Sequence, residues 1–246
     1  MPEGCASSGP ARESIPDFEE LGIVAFTTTR DAGSFATESD EPARAVMGRW
    51  YGLRAHLHDY APRFATASQV HGTRVVEHDG VWEGWLRVLD ADGHFAPRSG
   101  TAMAVTIADC VPVFLAHPDG AIALLHSGWR GTAARIIDRA LAAFSRHGFA
   151  AHGLRMHLGP AICGKCYEVS AEVAQALTGK AGSGPRNVDL RALIAAHARE
   201  GGVTQITTSR WCTRCDIARF YSHRAGDTGR QLAVMVAREP ARVDSL

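Results

Sequence analysis

His71, Cys110 and His126 each close a run of apolar, strand-like residues. Ala67-Ser68-Gln69-Val70 leads to His71, Val105-Thr106-Ile107-Ala108-Asp109 to Cys110, and Ile122-Ala123-Leu124-Leu125 to His126. Strand ends on a central sheet are where side chains distant in sequence can converge on a rigid frame. Two imidazoles and one thiolate make an ordinary three-ligand set for zinc, leaving the fourth tetrahedral position for water or substrate. Asp109, next to the thiolate, would orient a ligand from behind or act as an acid/base group. The spacing is too long for a metal motif, and the pattern alone fits two part-buried histidines and a core cysteine as well.

The segment His126-Ser127-Gly128-Trp129-Arg130-Gly131-Thr132 sets a Trp-Arg pair between glycines just before a helix start. Unpaired N–H groups and the positive end of the helix dipole, together with Arg130, would stabilise an anion such as phosphate there. A tight strand-to-helix turn with a solvated arginine explains the same residues. Arg30 follows Thr27-Thr28-Thr29, Arg224 follows Tyr221-Ser222-His223, and Thr228-Gly229-Arg230 adds a further arginine. Guanidinium forks match phosphate geometry, although each arginine taken singly reads as a surface salt-bridge partner.

Cys163-x-x-Cys166 and Cys212-x-x-Cys215 repeat the ligand pattern of a structural zinc site. The separation between the pairs exceeds the usual ribbon spacing, and a full α/β sheet does not need such a staple. Ordinary thiols are the favoured reading, ahead of a four-cysteine zinc and of a disulfide or redox pair.

The elements that must position these groups follow from periodicity. Apolar runs at 23–28, 64–70, 102–107, 111–116, 121–125, 154–158, 205–208 and 232–237 have strand length, and Pro118-Asp119-Gly120 is a turn between two of them. Pro42 opens a helix whose Ala43, Val46, Met47, Trp50 and Tyr51 keep an i, i+3, i+4 rhythm. A second helix after Gly131 and Thr132 carries Ile136, Ile137, Ala140, Leu141 and Phe144 on one face, with Gly148 as its stop. Ser170 and Asp189 are good N-caps for two more, and 179–186, rich in Gly, Ser and Pro, reads as a surface loop. Strands and helices interleave, with several strands close enough for hairpins. The expected fold is mixed α/β of the α+β type: one domain over 15–246, a mixed sheet covered by helices, after a mobile leader at 1–14.

The 246 residues, 46% hydrophobic and 21% charged, can bury a sizeable core and exclude a disordered tail, a collagen-like chain or a disulfide miniprotein. Lys+Arg and Asp+Glu are both 26, so the 24 arginines against 2 lysines reflect coding bias and imply no nucleic-acid partner. No run of 18 apolar residues is present, and the first residues have no apolar h-region. A cytoplasmic, reducing setting is therefore expected, where six cysteines suggest thiols, metal or catalysis before disulfides.

Taken jointly, Gln69-Val70-His71-Gly72, Ala108-Asp109-Cys110-Val111-Pro112, His126-Ser127-Gly128-Trp129-Arg130-Gly131, Leu158-Gly159-Pro160-Ala161-Ile162, Cys166-Tyr167-Glu168-Val169, Cys212-Thr213 and Tyr221-Ser222-His223-Arg224 resemble the YfiH family. Its members are also described as peptidoglycan editing factors and as laccase-domain purine nucleoside phosphorylases. The blocks occur in family order across about 27–237. The resemblance implies a YfiH-like fold and places the metal ligands at His71, Cys110 and His126. Two departures touch the substrate-facing loops. An acidic stretch at 38–41 replaces the usual continuation after Asp31-Ala32-Gly33-Ser34, and Ala225 stands where a second arginine often follows.

The resemblance implies a zinc metalloenzyme, copper being less favoured, acting on purine nucleosides with phosphate. Adenosine, inosine or methylthioadenosine would be phosphorolysed, with adenosine deamination as a related activity. Asp109, Arg224 and Arg30 are the expected catalytic residues, and Arg130, Gly131 and Gln69 the expected substrate and phosphate contacts. An alternative enzyme reading makes Cys110 and His126 the nucleophile and base of an amidase that trims peptidoglycan precursors, or lets the same zinc do so. A non-catalytic binding module with the four cysteines as a zinc clip is a third reading. Copper-dependent phenol oxidation fits poorly, since the one H-x-H pair, His56-x-His58, falls at a surface helix end.

Overall fold

The central apolar runs at 102–107, 111–116, 122–127 and 232–237 form strands buried on both faces, because the chain folds into four layers. The runs at 154–158 and 205–208 lie towards an edge and are partly exposed, and the run expected over 64–70 leaves strand after Ala67. The computed structural model describes residues 9–238. In chain order its first half holds β1 (Arg12–Ser14), β2 (Ile23–Thr28), α1 (Ala43–His58), β3 (Arg63–Ala67), β4 (Val75–Glu77), β5 (Gly84–Val88), β6 (Gly93–Ala96), β7 (Thr101–Ile107) and β8 (Val111–Ala116). The second half holds β9 (Ile122–Ser127), α2 (Trp129–Ala133), α3 (Ile136–Arg146), β10 (Arg155–Leu158), β11 (Glu168–Val169), α4 (Ala171–Thr178), β12 (Arg186–Asn187), α5 (Leu190–Glu200), β13 (Gln205–Thr208) and β14 (Gln231–Ala237).

The strands divide into two six-stranded mixed sheets, ordered β1-β2-β14-β7-β3-β5 and β13-β10-β8-β9-β6-β4, with β11 and β12 as a separate pair. Alternation along each central strand feeds two different cores. On β14, Ala233 and Met235 face the gap between the sheets, while Leu232, Val234 and Val236 face α1 with its Val46, Trp50, Leu53 and Leu57. On β8 and β9, Phe114 and Leu124 join the inter-sheet core, while Val113, Leu115 and Leu125 meet Ile136, Ile137, Ala140 and Phe144 of α3. Helices thus cover the outer face of each sheet. The expected mixed class holds, but its sheet is two sheets back to back. Runs apolar on both faces carry no mark of which sheet they join.

Ser170 and Asp189 cap as expected, accepting hydrogen bonds from the backbone N–H groups of Val173 and Ala192. The helix expected after Gly131 starts earlier and is broken in two, since Arg135 adopts a left-handed conformation (φ 58°) between α2 and α3. The leader expected over 1–14 is shortened: Arg12–Ser14 pairs antiparallel with Phe26–Thr28 of β2. Its residues 1–8 lie outside the described ones. Among the described residues, no helix is long and apolar enough to cross a membrane.

Candidate metal centre

The two sheets meet at one end where β7 crosses through Ala108-Asp109-Cys110 into β8. His71 lies on the loop that leaves β3, and His126 is the penultimate residue of β9, so three connections bring three donors together. One ligand atom from each of His71, Cys110 and His126 lies within 4.8 Å of the others, and the two imidazole rings are 4.8 Å apart at their centroids. His126 is buried, Cys110 is half-buried and His71 is exposed. Gly128 makes the approach possible, since a Cβ there would come within 2.9 Å of the Cys110 sulfur and 3.0 Å of the His71 ring. His71 and Asp109 both hold positive φ, 60° and 79°, so strained backbone is concentrated around the donors.

Asp92, buried completely, ties two of the donors to one carboxylate. Its Oδ1 accepts from His126 Nδ1 at 2.8 Å and from the His71 backbone N–H at 2.9 Å. Its Oδ2 accepts from the N–H groups of Gly72 at 2.7 Å and Val70 at 3.2 Å. Because the carboxylate can only accept, His126 must carry its proton on Nδ1, which leaves Nε2 for a ligand. Burial pushes the Asp92 carboxyl up, but the His126 ring and these N–H donors more than reverse it and hold it below the usual range. Burial likewise opposes the charged form of Cys110, yet His126 and then His71 bring its thiol down to about 6. His126 moves the other way, raised by the Cys110 sulfur and Asp92 against the effect of burial. Cys110 is thereby set up as a thiolate, the form that binds metal. The donor set and its supporting carboxylate fit a metal ion with an open position.

All three donors line a cavity of about 510 Å³, a size suited to a small organic ligand. One wall is aromatic: Trp50 stacks on Trp85 with centroids 5.4 Å apart, and Phe35 meets Trp50 edge-on. His223 and Arg230 also line it, as does Glu38 from the acidic stretch. Arg230 is fixed by the carbonyls of Asp227, Thr228 and Gly229.

The other expected site residues divide sharply. Gln69 lines the cavity, but its side chain acts as a strand extension, accepting from Thr106 N–H and donating to Thr106 O, both at 2.8 Å. Asp109 does not face the cavity with a free carboxylate. Its oxygens accept from the Thr213 hydroxyl and the Arg224 N–H, both at 2.6 Å, which fits an orienting role better than acid/base work. Arg30 is engaged elsewhere: it donates to Ile217 O, Phe220 O and Asp227 Oδ2 and lies 4.3 Å over the Tyr221 ring, and, like Arg224 and Arg130, it is not part of the cavity lining. Arg224 donates to Glu168 O at 2.8 Å and sits over the Tyr167 ring at 5.0 Å. Tyr167 is raised to about 12 by burial and next by Cys110, against the nearby charges of Arg224 and Arg130. Arg130 lies exposed over Trp129. The anion site expected at the helix start loses its dipole, because α2 ends after five residues. Gly131 serves packing, as a Cβ there would stand 3.1 Å from Gly72 O.

Asp92, Phe35 and Trp85 escape the sequence reading, which gives Tyr167 and Trp50 no place at the site. Asp92-Gly93 looks like a turn, and Trp50 sits on a helix face that any core would use. The four cysteine sulfurs of Cys163, Cys166, Cys212 and Cys215, read as ordinary thiols, also converge, all within 4.8 Å of one another.

A family model described as multi-copper polyphenol oxidoreductase laccase matches residues 29–238. A purine nucleoside phosphorylase of Deinococcus radiodurans is 35% identical over 232 residues, covering 86% of this chain and 87% of that protein. Purine nucleoside phosphorylase ORF3 of Streptomyces griseus is 34% identical, covering 78% of this chain and 80% of the relative. Among solved structures, YlmD of Geobacillus stearothermophilus superposes with a TM-score of 0.81 at 28% identity, over 89% of this chain and 93% of that one. The hypothetical protein YfiH of Bacillus licheniformis shares the fold with a TM-score of 0.83 at 22% identity, over 93% and 97%. The chain therefore belongs to the multi-copper polyphenol oxidoreductase laccase family, the family of YfiH.

Proposed function

We propose that this chain is a zinc-dependent purine nucleoside phosphorylase, cleaving adenosine or inosine to the free base and ribose 1-phosphate, and methylthioadenosine to adenine and 5-methylthioribose 1-phosphate. The observation that carries the reading is the convergence of His71, Cys110 and His126 on a cavity of about 510 Å³ with an aromatic wall. The names of the relatives supply the substrate class.

In the reaction, phosphate oxygen bonds to the anomeric carbon as the bond to the base nitrogen breaks. His71, Cys110 and His126 would hold the ion, with Asp92 fixing the His126 tautomer and the His71 loop. A bound zinc would supply Lewis acidity beside the cavity. Trp85, half-buried and backed by the buried Trp50 and Phe35, offers apolar surface to the flat base. Arg224, over the Tyr167 ring, and Arg130 are the cations assigned to phosphate, together with Arg230, which lines the cavity. Asp109 positions Arg224 by taking its backbone N–H.

Chromatography of adenosine incubated with zinc-loaded protein, with and without phosphate, tests the proposal. Phosphate-dependent adenine supports it. Inosine formed without phosphate would make the same centre a deaminase, and intact adenosine in both tubes would put the nucleoside reading behind amide hydrolysis of muramyl precursors, tested next. A second reading is favoured by the Cys110–His126–Asp92 relay, which also has the order of a nucleophile, a base and its orienter. Such a cysteine amidase would work without metal, so full amide hydrolysis by chelator-treated protein would select it. The donor set also suits mononuclear copper, and elemental analysis of the purified protein distinguishes the two ions.

A further inference from the structure

We propose that Cys163, Cys166, Cys212 and Cys215 form a second metal site, a closed tetrathiolate that takes one zinc ion and ties together the two loops behind the cavity. The sulfurs come from two turns far apart in sequence, one after β10 and one after β13. Parallel pairing of those strands brings the turns side by side, and a bridge between Ala161 and Cys212 continues it, with Thr213 N–H donating to Ala161 O at 3.2 Å.

All four sulfurs lie within 4.8 Å of one another, and Cys166 Sγ and Cys215 Sγ are 3.4 Å apart. A tetrahedron with Zn–S bonds of about 2.3 Å has S···S edges of about 3.8 Å, so small shifts would seat the ion. Core thiols are buried, whereas here only Cys212 is; Cys163 and Cys166 are half-buried and Cys215 is exposed. Four thiols gathered near the surface thus gain little from burial, and ordinary packing does not explain them.

Backbone N–H groups already point at sulfur. Cys163 and Cys215 donate to Cys212 Sγ at 3.2 and 3.4 Å, and those of Lys165 and Cys166 face Cys163 Sγ. Such donors stabilise thiolate charge around a metal. Lys165 and Arg214, inside the two CxxC turns, add positive charge. Binding releases the thiol protons to solvent with no change of oxidation state. With four protein ligands no position stays open, so the ion would hold structure and perform no chemistry. The structure it holds matters to the other centre: Thr213, next to Cys212, bonds Asp109, and Tyr167 follows Cys166.

Elemental analysis of full-length protein separates the two sites. In Cys110→Ser, one equivalent of zinc should remain bound per chain; adding Cys166→Ser and Cys215→Ser should remove it. Cobalt loaded into chelator-stripped Cys110→Ser protein should give the intense sulfur-to-metal charge transfer of a tetrahedral thiolate set. Should the serine variant not fold, Cys215→His, which keeps a ligand, should retain both the metal and the fold. Absence of retained metal from Cys110→Ser, or thiols missing from the denatured, metal-free protein because they pair as disulfides, would overturn the proposal. Neither outcome depends on whether the chain cleaves nucleosides.

Discussion

The His71–Cys110–His126 centre and the four-cysteine cluster are both compact donor sets, built in opposite ways. The first gathers mixed ligands from three connections, is braced from behind by a fully buried Asp92 and opens on a cavity. The second gathers one ligand type from two turns, is braced by backbone N–H groups and lies near the surface, with Cys215 exposed. The difference teaches what separates a reactive centre from a holding one. A reactive centre needs a vacant position, a side-chain carboxylate to set proton positions, and strained backbone to aim its donors. A holding centre needs only enough identical ligands to close.

The comparison breaks most severely if Cys110→Ser keeps its activity. The expected result is a loss of turnover of at least about 1,000-fold, with the fold intact and the four-cysteine site still loaded; turnover and bound metal are read on the same sample. Thiol chemistry sharpens the contrast next. In chelator-stripped protein Cys110, with its thiol near 6, is thiolate at neutral pH, whereas Cys215, raised to about 12 chiefly by its hydrogen bonds with Cys166 and Cys212, stays a thiol. Cys110 should therefore alkylate at least about 100-fold faster near neutral pH although Cys215 is the more exposed. Its rate should level off above about pH 7 while that of Cys215 still climbs at alkaline pH. Peptide mass spectrometry across pH gives both curves, and equal rates would contradict the electrostatic account.

Asp92→Asn is expected to weaken metal binding at the histidine centre by about 10- to 100-fold, measured by chelator competition, because the amide nitrogen would face N–H donors. The cysteine cluster should be unaffected. Two arginines give the smallest effects and divide position from function. Arg224→Ala should lower kcat/KM about tenfold, near 1.4 kcal/mol, with little change in melting temperature. Arg30→Ala should leave kcat unchanged and cost about 2 kcal/mol of stability, since three acceptors lose a charged donor. A reversal of these two outcomes would restore Arg30 to the site.

The sequence by itself determined the local elements and the identity of the metal-type donors. Strands such as Ile23–Thr28 and Val111–Ala116 and the caps at Ser170 and Asp189 are written in short-range pattern, since periodicity and capping act within a few residues. Seven blocks of residues identified the family, and with it His71, Cys110 and His126. Short strands such as Val75–Glu77 and Gly93–Ala96 carried too few residues for a period to show. Only the tertiary structure decided that the strands form two sheets, and that choice controls everything around the centre. Sheet pairing put Asp92 under His126, turned Arg30 into a clamp on the C-terminal segment, and brought Cys163 and Cys166 against Cys212 and Cys215. Contacts of that kind join residues tens of positions apart, and no window of sequence records which partner a buried carboxylate or a thiol will meet.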